Sequence, residues 1–301
     1  MNMHSQPATN TAPDRVHPPS YLRVFLTFAR NSLVRDMTFR ANFLIEVVSS
    51  LSWMFMNLGF YLLIFTYTDV IGVATGWTQY EFLIFFATVA IVNSLVQTFF
   101  MPNMEEFSEL IRTGNLDFAL LKPIDTQFLV SLHKIHWSSL SNTGFAIVLL
   151  IVSLTKLHQL HPENVLHLSQ LLLYPVYIFC GVAILYSLMI ALASTSIWLG
   201  RNQSLYNFWF YITNFSRYPM EIYSGPPGAA RRWIGESLRM FFSYAIPVLI
   251  AVNVPARLLA KPLDPENTTL AIFAVFATAG SLLASRGVFY WALRGYRSAS
   301  S

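Results

Sequence analysis

Any chemistry in this chain must come from a few polar side chains set within long apolar runs. Asn93 and Gln97 lie four residues apart and share one face of a helix. Asn42, Glu46, Ser49, Ser50, Trp53 and Asn57 form a second polar stripe, within about 100° of one helical face. Inside a bilayer such groups must turn toward protein or water, and Glu46 is the costliest of them. Two uses fit both stripes: hydrogen bonds between packed helices, or the lining of a transport path. His133 and His136 are spaced to share a metal, but no carboxylate or thiol lies at a supporting distance. With Lys134 and Trp137 they read instead as an interfacial anchor. The His-x-x-His pair of His158 and His161 is equally weak.

The signatures of self-contained catalysis are missing. The chain holds no G-x-x-x-x-G-K-[ST], G-x-S-x-G, H-E-x-x-H or G-x-G-x-x-G. No matched halves with broken helices stand out, which weakens the case for a secondary transporter.

The stretch around which the chain is organised is Asn103–Pro123, NMEEFSELIRTGNLDFALLKP. It is a charged, amphipathic island between apolar runs long enough to cross a bilayer. Met104, Phe107, Leu110 and Ile111 fall within about 120° of one helical face, with Glu105, Glu106, Glu109 and Arg112 on the other. Pro102 suits the first turn, and Gly114 the left-handed position past the last. The island is either a solvated connecting helix or a docking helix that offers acidic and apolar groups to a soluble partner.

The elements that must carry these groups are membrane helices. Of 301 residues, 54% are hydrophobic and 11% charged, with a mean hydropathy of +0.49; a soluble domain carries roughly 25% charged residues. Residues 1–19 read as a disordered cytoplasmic tail without the apolar core of a signal peptide. Residues 20–301 read as one transmembrane domain. Tyr21–Arg40 is too charged to span and suits an interfacial helix. Span one is Phe43–Thr66, span two Phe82–Met101, span three begins around Phe128 to His136 and runs to about Leu157, span four is Leu168–Leu199, and span five opens at Leu205–Phe215. Pro247 and Pro255 break residues 234–260 into a re-entrant or surface-lying hairpin, and span six is Thr269–Leu293. Ala277, Gly280, Ser281 and Ala284 give span six a small-residue surface for close helix approach. The single cysteine, Cys180, allows no internal disulfide.

The net charge of +4 comes from 19 Lys and Arg residues that flank spans rather than forming a nucleic-acid patch. Both termini inside places most of them in the cytoplasm; the group between Arg217 and Lys261 is the exception.

Ile111–Phe128, IRTGNLDFALLKPIDTQF, resembles the "I-R-x-G-x-L-D-x-x-L-x-K-P" signature of the six-span permease subunits of ABC-2 type transporters. GWTQYEFLIF (Gly76–Phe85), RYP…IPVLIAVNVPARLL (Arg217–Leu259) and WALRGYRSASS (Trp291–Ser301) resemble further family segments in the same order. The likeness runs from about residue 20 to the end; the amino-terminal tail departs from it. The resemblance implies an all-α polytopic membrane protein of the cell membrane, with six transmembrane helices and cytoplasmic termini. It implies pairing with a second copy or a sibling permease, two cytoplasmic ABC ATPase subunits that hold the ATP and Mg, and no cofactor in this chain. The helix after span two would be the coupling helix, with Glu105, Glu106, Phe107, Leu110, Ile111, Arg112, Gly114, Leu116, Asp117, Lys122 and Pro123 as the docking positions. Its apolar face would sit in a cleft of the ATPase, and Arg112 and Asp117 would either lock the turn or face the partner. A channel or scaffold without ATP coupling, and an intramembrane enzyme using Glu46 or the histidines, are the alternatives.

Overall fold

The computed structural model describes residues 20–72, 75–162, 167–199, 203–225, 232–261 and 265–296. The expected tail at 1–19 and the Gly-Pro loop at 226–231 lie outside them. α1 (Tyr21–Thr38) stops at Phe39, and α2 (Arg40–Phe65) starts at once. Leu22, Leu26 and Val34 of α1 are exposed, as an interfacial helix requires. Its other flank docks on the 126–139 segment: the Ile135 N–H donates to Ser32 Oγ (3.1 Å), and Tyr21 meets Phe128 edge-on.

α2 has 26 residues, about 39 Å at 1.5 Å each, enough to cross a hydrocarbon core of roughly 30 Å. A short hairpin follows, Val70–Ile71 against Trp77–Thr78, with Gly76 at a φ of +62°. Glu81 accepts the Thr78 N–H (2.8 Å) and starts α3 (Gln79–Phe99). Only Phe100 separates α3 from α4 (Met101–Arg112), so the two run as one 34-residue rod. Gly114 then adopts a φ of +73°, the left-handed turn expected of it, and leads into α5 (Leu116–Leu120).

Span three begins at the far end of the expected Phe128–His136 start, at Trp137. α6 (Thr126–Leu132) is a separate helix whose first turn is capped by Asp125, and the membrane helix α7 (Leu140–Leu160) follows a 3-10 turn at Trp137–Ser139. The backbone between them is bound elsewhere: the His136 N–H donates to the Thr98 carbonyl (2.9 Å), and Lys134 is held by Asn103. Those tertiary bonds replace the helical ones an uninterrupted span would need.

α8 (Leu168–Ser194) crosses with Pro175 inside it, and α9 (Ser196–Leu199) extends it. The helix expected to open span five, α10 (Gln203–Asn214), has 12 residues, about 18 Å, too short to cross alone. Beyond it, α11 (Arg232–Met240) buries no residue, whereas α12 (Val248–Ala260) is buried almost throughout; the segments bend by 88°. Pro247 explains the break, since its ring cannot follow a helical Ser243 carbonyl. A surface helix feeding an inward one is the hairpin expected from the prolines. α13 (Pro265–Arg294) completes the chain. Among the described residues, five helices are long and apolar enough to cross a membrane, six if the bent pair counts as one.

α3 and α8 form the centre, packed on each other and on α12, with α7 against α3 and α13 against α8. The most apolar stretch of α3 is 67% buried, but that of α2 only 11%. α12 approaches α8 so closely that a Cβ on Gly181 would lie 2.1 Å from the Ala251 carbonyl oxygen. The small stripe of α13, by contrast, does not mediate close packing within this chain: Gly280 faces open space. At the hairpin end, polar groups close the bundle. Glu221 pairs with Arg257 and accepts from Trp77 Nε1 (3.2 Å), while Lys261 pairs with Glu81 (2.8 Å) and covers the Trp77 ring.

Candidate functional site

The two polar stripes meet. α2, α3 and α7 enclose a cleft with an outer basin of about 770 Å³ and an inner chamber of about 150 Å³. Ser50, Trp53, Gln97 and Asn142 line both, so the two are continuous. Glu46 and Ser49 line the outer basin near α4; Asn57 and Asn93 line the inner chamber. Asn42, the first residue of the stripe, lines neither. The wall also includes residues not foreseen: Asn142 from α7, Arg35 and His136 at the mouth, and Arg217 and Tyr61 at the inner end. Asn142 sits among Ser138, Ser139, Ser141 and Thr143 at the start of α7, so no apolar surrounding set it apart in the sequence. Nothing local marked Arg217, which reaches the chamber only because the chain returns after α10.

Glu46 is not stranded in lipid. Its Oε2 accepts from Ser138 Oγ (2.9 Å) and lies 2.8 Å from His136 Nε2, which fixes the proton on that nitrogen when the imidazole is neutral. Ser139 Oγ stands at the limit of hydrogen bonding from His136 Nδ1, 3.5 Å. Since Glu46 binds His136 and Ser138 alike, the group ties α2 to the 3-10 turn rather than preparing a nucleophile.

The second region is the surface made by α4, α5 and α6. The apolar face of α4 is turned inward, so it is not offered to a partner as expected. Phe107 is fully buried against Phe289 of α13, and Met104 is buried with it. Leu110 and Ile111 pack on the same core, and Leu116 is fully buried. The physical reason is the continuity of α3 and α4: a rod that stays against α6 and α8 keeps its apolar stripe on the bundle. Glu106 forms an ion pair with Lys134 (2.8 Å). Glu105 points outward, and Arg112 turns back onto Glu109 in its own helix (Nε to Oε2, 2.9 Å), holding that carboxyl below its ordinary range. Asp117 is half-buried, while Lys122 and Pro123 are exposed.

Two residues not singled out from the sequence stand out here. Phe118 is 68% exposed and Leu121 81%, side by side with Lys122 and Pro123. Behind them, Asp125 accepts from the Phe128 N–H (2.9 Å), Tyr290 Oη (2.8 Å) and Arg286 (2.9 Å). Burial alone would raise the Asp125 carboxyl, but these three donors outweigh it and hold the group below its usual range. The platform is thereby fastened to α13.

Helical spans around a polar cleft, joined by a rod to a charged amphipathic platform, define a multi-pass membrane transport protein. The profile of the ABC-2 family transporter proteins matches residues 51–300, and the chain belongs to that family. It is therefore a permease subunit of an ABC transporter, a transport component rather than a catalyst, of a family that works with a cytoplasmic ATPase. No curated protein and no solved structure matches the chain.

Proposed function

We propose that this chain is the membrane half of an exporter of the plasma or inner membrane, with α4 and both termini in the cytoplasm. Two cytoplasmic ATPase subunits, which bind ATP and Mg, dock beneath it and beneath a second copy or sibling permease. The observation that carries this reading is the 34-residue rod of α3 and α4. A push on α4 moves Asn93 and Gln97 in the cleft wall without an intervening joint. The cleft is then the translocation path, and the platform is where force enters.

The docking surface follows from what remains exposed. Glu105, Glu109, Arg112 and Lys122 supply the rim charges that set register, with Phe118, Leu121 and Pro123 as the apolar centre. Phe107, Leu110, Ile111 and Leu116 stiffen the helix from behind, Gly114 sets the turn, and Glu106 and Asp117 act through the platform. Affinity purification of the tagged chain from native membranes should recover a protein with a G-x-x-x-x-G-K-[ST] loop. Phe118→Asp with Leu121→Asp should abolish that recovery. If the double variant keeps the ATPase and its nucleotide-driven transport, the docking assignment is wrong.

A further inference from the structure

The inner chamber combines one cation with unengaged amides, and the geometry points to a cargo that carries an anionic group on a polar, hydrogen-bonding head. This deepens the reading of the cleft as a translocation path and rests on it. Among the described residues, Arg217 is the only charged one lining the chamber, and none of them there is a carboxylate. It is exposed, and no hydrogen bond or ion pair ties it to any described residue, so its five donors are available.

The amides beside it are in the same condition. The side chains of Asn93 and Gln97 make no hydrogen bond among the described residues, and Asn142 has a buried, unpartnered Oδ1. Buried or membrane-embedded polar groups ordinarily find partners, because an unmatched donor or acceptor is costly. Three such amides around one chamber are more than packing requires. Asn57, in contrast, donates to the Trp53 carbonyl of its own helix (2.7 Å) and is already satisfied.

The charge distribution excludes other classes. A cationic amphiphile entering the chamber would meet the like charge of Arg217, with no acid among the described lining residues to offset it. A purely apolar molecule would bury the amides and guanidinium without replacing their water. An anion with hydroxyl or amide groups satisfies both: the guanidinium takes the acidic group in a forked, charge-assisted contact, and the amides take the rest. The chamber, at about 150 Å³, has room for a headgroup, on the order of ten waters. At the mouth, Glu46 is hydrogen-bonded by His136 and Ser138, Arg35 is paired with Asp36, and Glu105 also lines the basin, so the acids stand in the outer basin and the cation in the inner chamber.

A phosphate- or carboxylate-bearing lipid and a small free anion share this chemistry, and the test separates them. The full chain in phosphatidylcholine nanodiscs is titrated calorimetrically with hexyl phosphate, hexyl glucoside, hexyltrimethylammonium and inorganic phosphate, with empty nanodiscs as the blank. Hexyl phosphate should bind saturably. Arg217→Gln should weaken it about tenfold or more, and Arg217→Lys should recover most of that loss. Asn93→Leu and Gln97→Leu should weaken hexyl phosphate and hexyl glucoside alike, with the thermal unfolding of each variant unchanged. Inorganic phosphate binding as tightly as hexyl phosphate would identify a free anion as the cargo; binding of the amphiphile alone would identify a lipid. Equal binding of hexyltrimethylammonium, or an Arg217→Gln variant that binds hexyl phosphate like the wild type, overturns the proposal. So does an Arg217→Gln variant that changes only the oligomeric state. The assay needs no ATPase, so its failure beside an intact ATPase complex sinks the cargo class and leaves the permease reading standing.

Discussion

Asn103 on α4 holds the main chain of Lys134 at both ends: its Oδ1 accepts the Lys134 N–H and its Nδ2 donates to the Lys134 carbonyl, each at 2.7 Å. The same Nδ2 also meets the Phe99 carbonyl at 2.8 Å. The irregular backbone between α6 and α7 is therefore bonded to the rod that runs from platform to cleft. A displacement of α4 reaches α7 through this clasp as well as α3 through the helix.

Removing the clasp should cost more than removing the ion pair beside it. Asn103 is 2% exposed, so Asn103→Leu takes this partner from three backbone groups, the Lys134 N–H and carbonyl and the Phe99 carbonyl, and should destabilise the chain by about 2–4 kcal/mol. Glu106 and Lys134 are each about one-third exposed, so Glu106→Gln should cost under about 1 kcal/mol. Thermal unfolding in nanodiscs distinguishes them, and equal losses would contradict the account.

Gly181 should tolerate no side chain. The Cβ of Gly181→Ala meets backbone, which cannot rotate away, so α8 and α12 must part at a cost of roughly 1–3 kcal/mol or more. Gly280→Ala lies inside α13 and meets nothing within 4 Å, so it should not destabilise the chain and should gain up to about 1 kcal/mol from helix propensity.

Glu221 should be the most sensitive carboxylate at the hairpin end. Arg257 is 12% exposed and keeps its contact with Asn267 (2.8 Å), so truncating Glu221 removes the carboxylate while the guanidinium stays largely buried. Glu221→Ala should cost about 3 kcal/mol, and Arg257→Met combined with it should restore part of the loss. A double variant as unstable as Glu221→Ala would show that the charge is not the cause.

Acid should loosen the platform through Asp125. Its folded pKa lies below the unfolded value near 3.8, so the unfolded state binds the proton more readily. The contribution is fully present above the unfolded value and is lost as pH falls through the folded one. Asp125→Asn should therefore lower stability at neutral pH and flatten the acid limb of the unfolding profile. An unchanged acid limb would remove Asp125 from that role.

Much of this architecture is written in local pattern. Spans one and two, the interfacial α1, the turn at Gly114 and the proline-broken hairpin are legible because each depends on the period of apolar residues or on a restricted backbone dihedral within one turn. The polar stripes of Asn93 with Gln97 and of Glu46 to Asn57 were legible for the same reason: a bilayer leaves them few places to go.

Other features depend on residues distant in sequence. Periodicity shows that α4 has an apolar face, but only packing against Phe289 decides that this chain, not a partner, covers it. The start of α7 moves past Lys134 and His136 because Asn103 and Thr98 claim their backbone groups. α10 falls short of a full span, and Arg217 enters the chamber after the chain turns back from it. The sequence by itself thus determined a helical membrane protein, since covalent geometry and the bilayer act on neighbouring residues, and its motifs carried the resemblance to a permease family. The tertiary structure alone decided which surfaces remain open and which polar groups lack partners, because those depend on what the rest of the chain brings alongside.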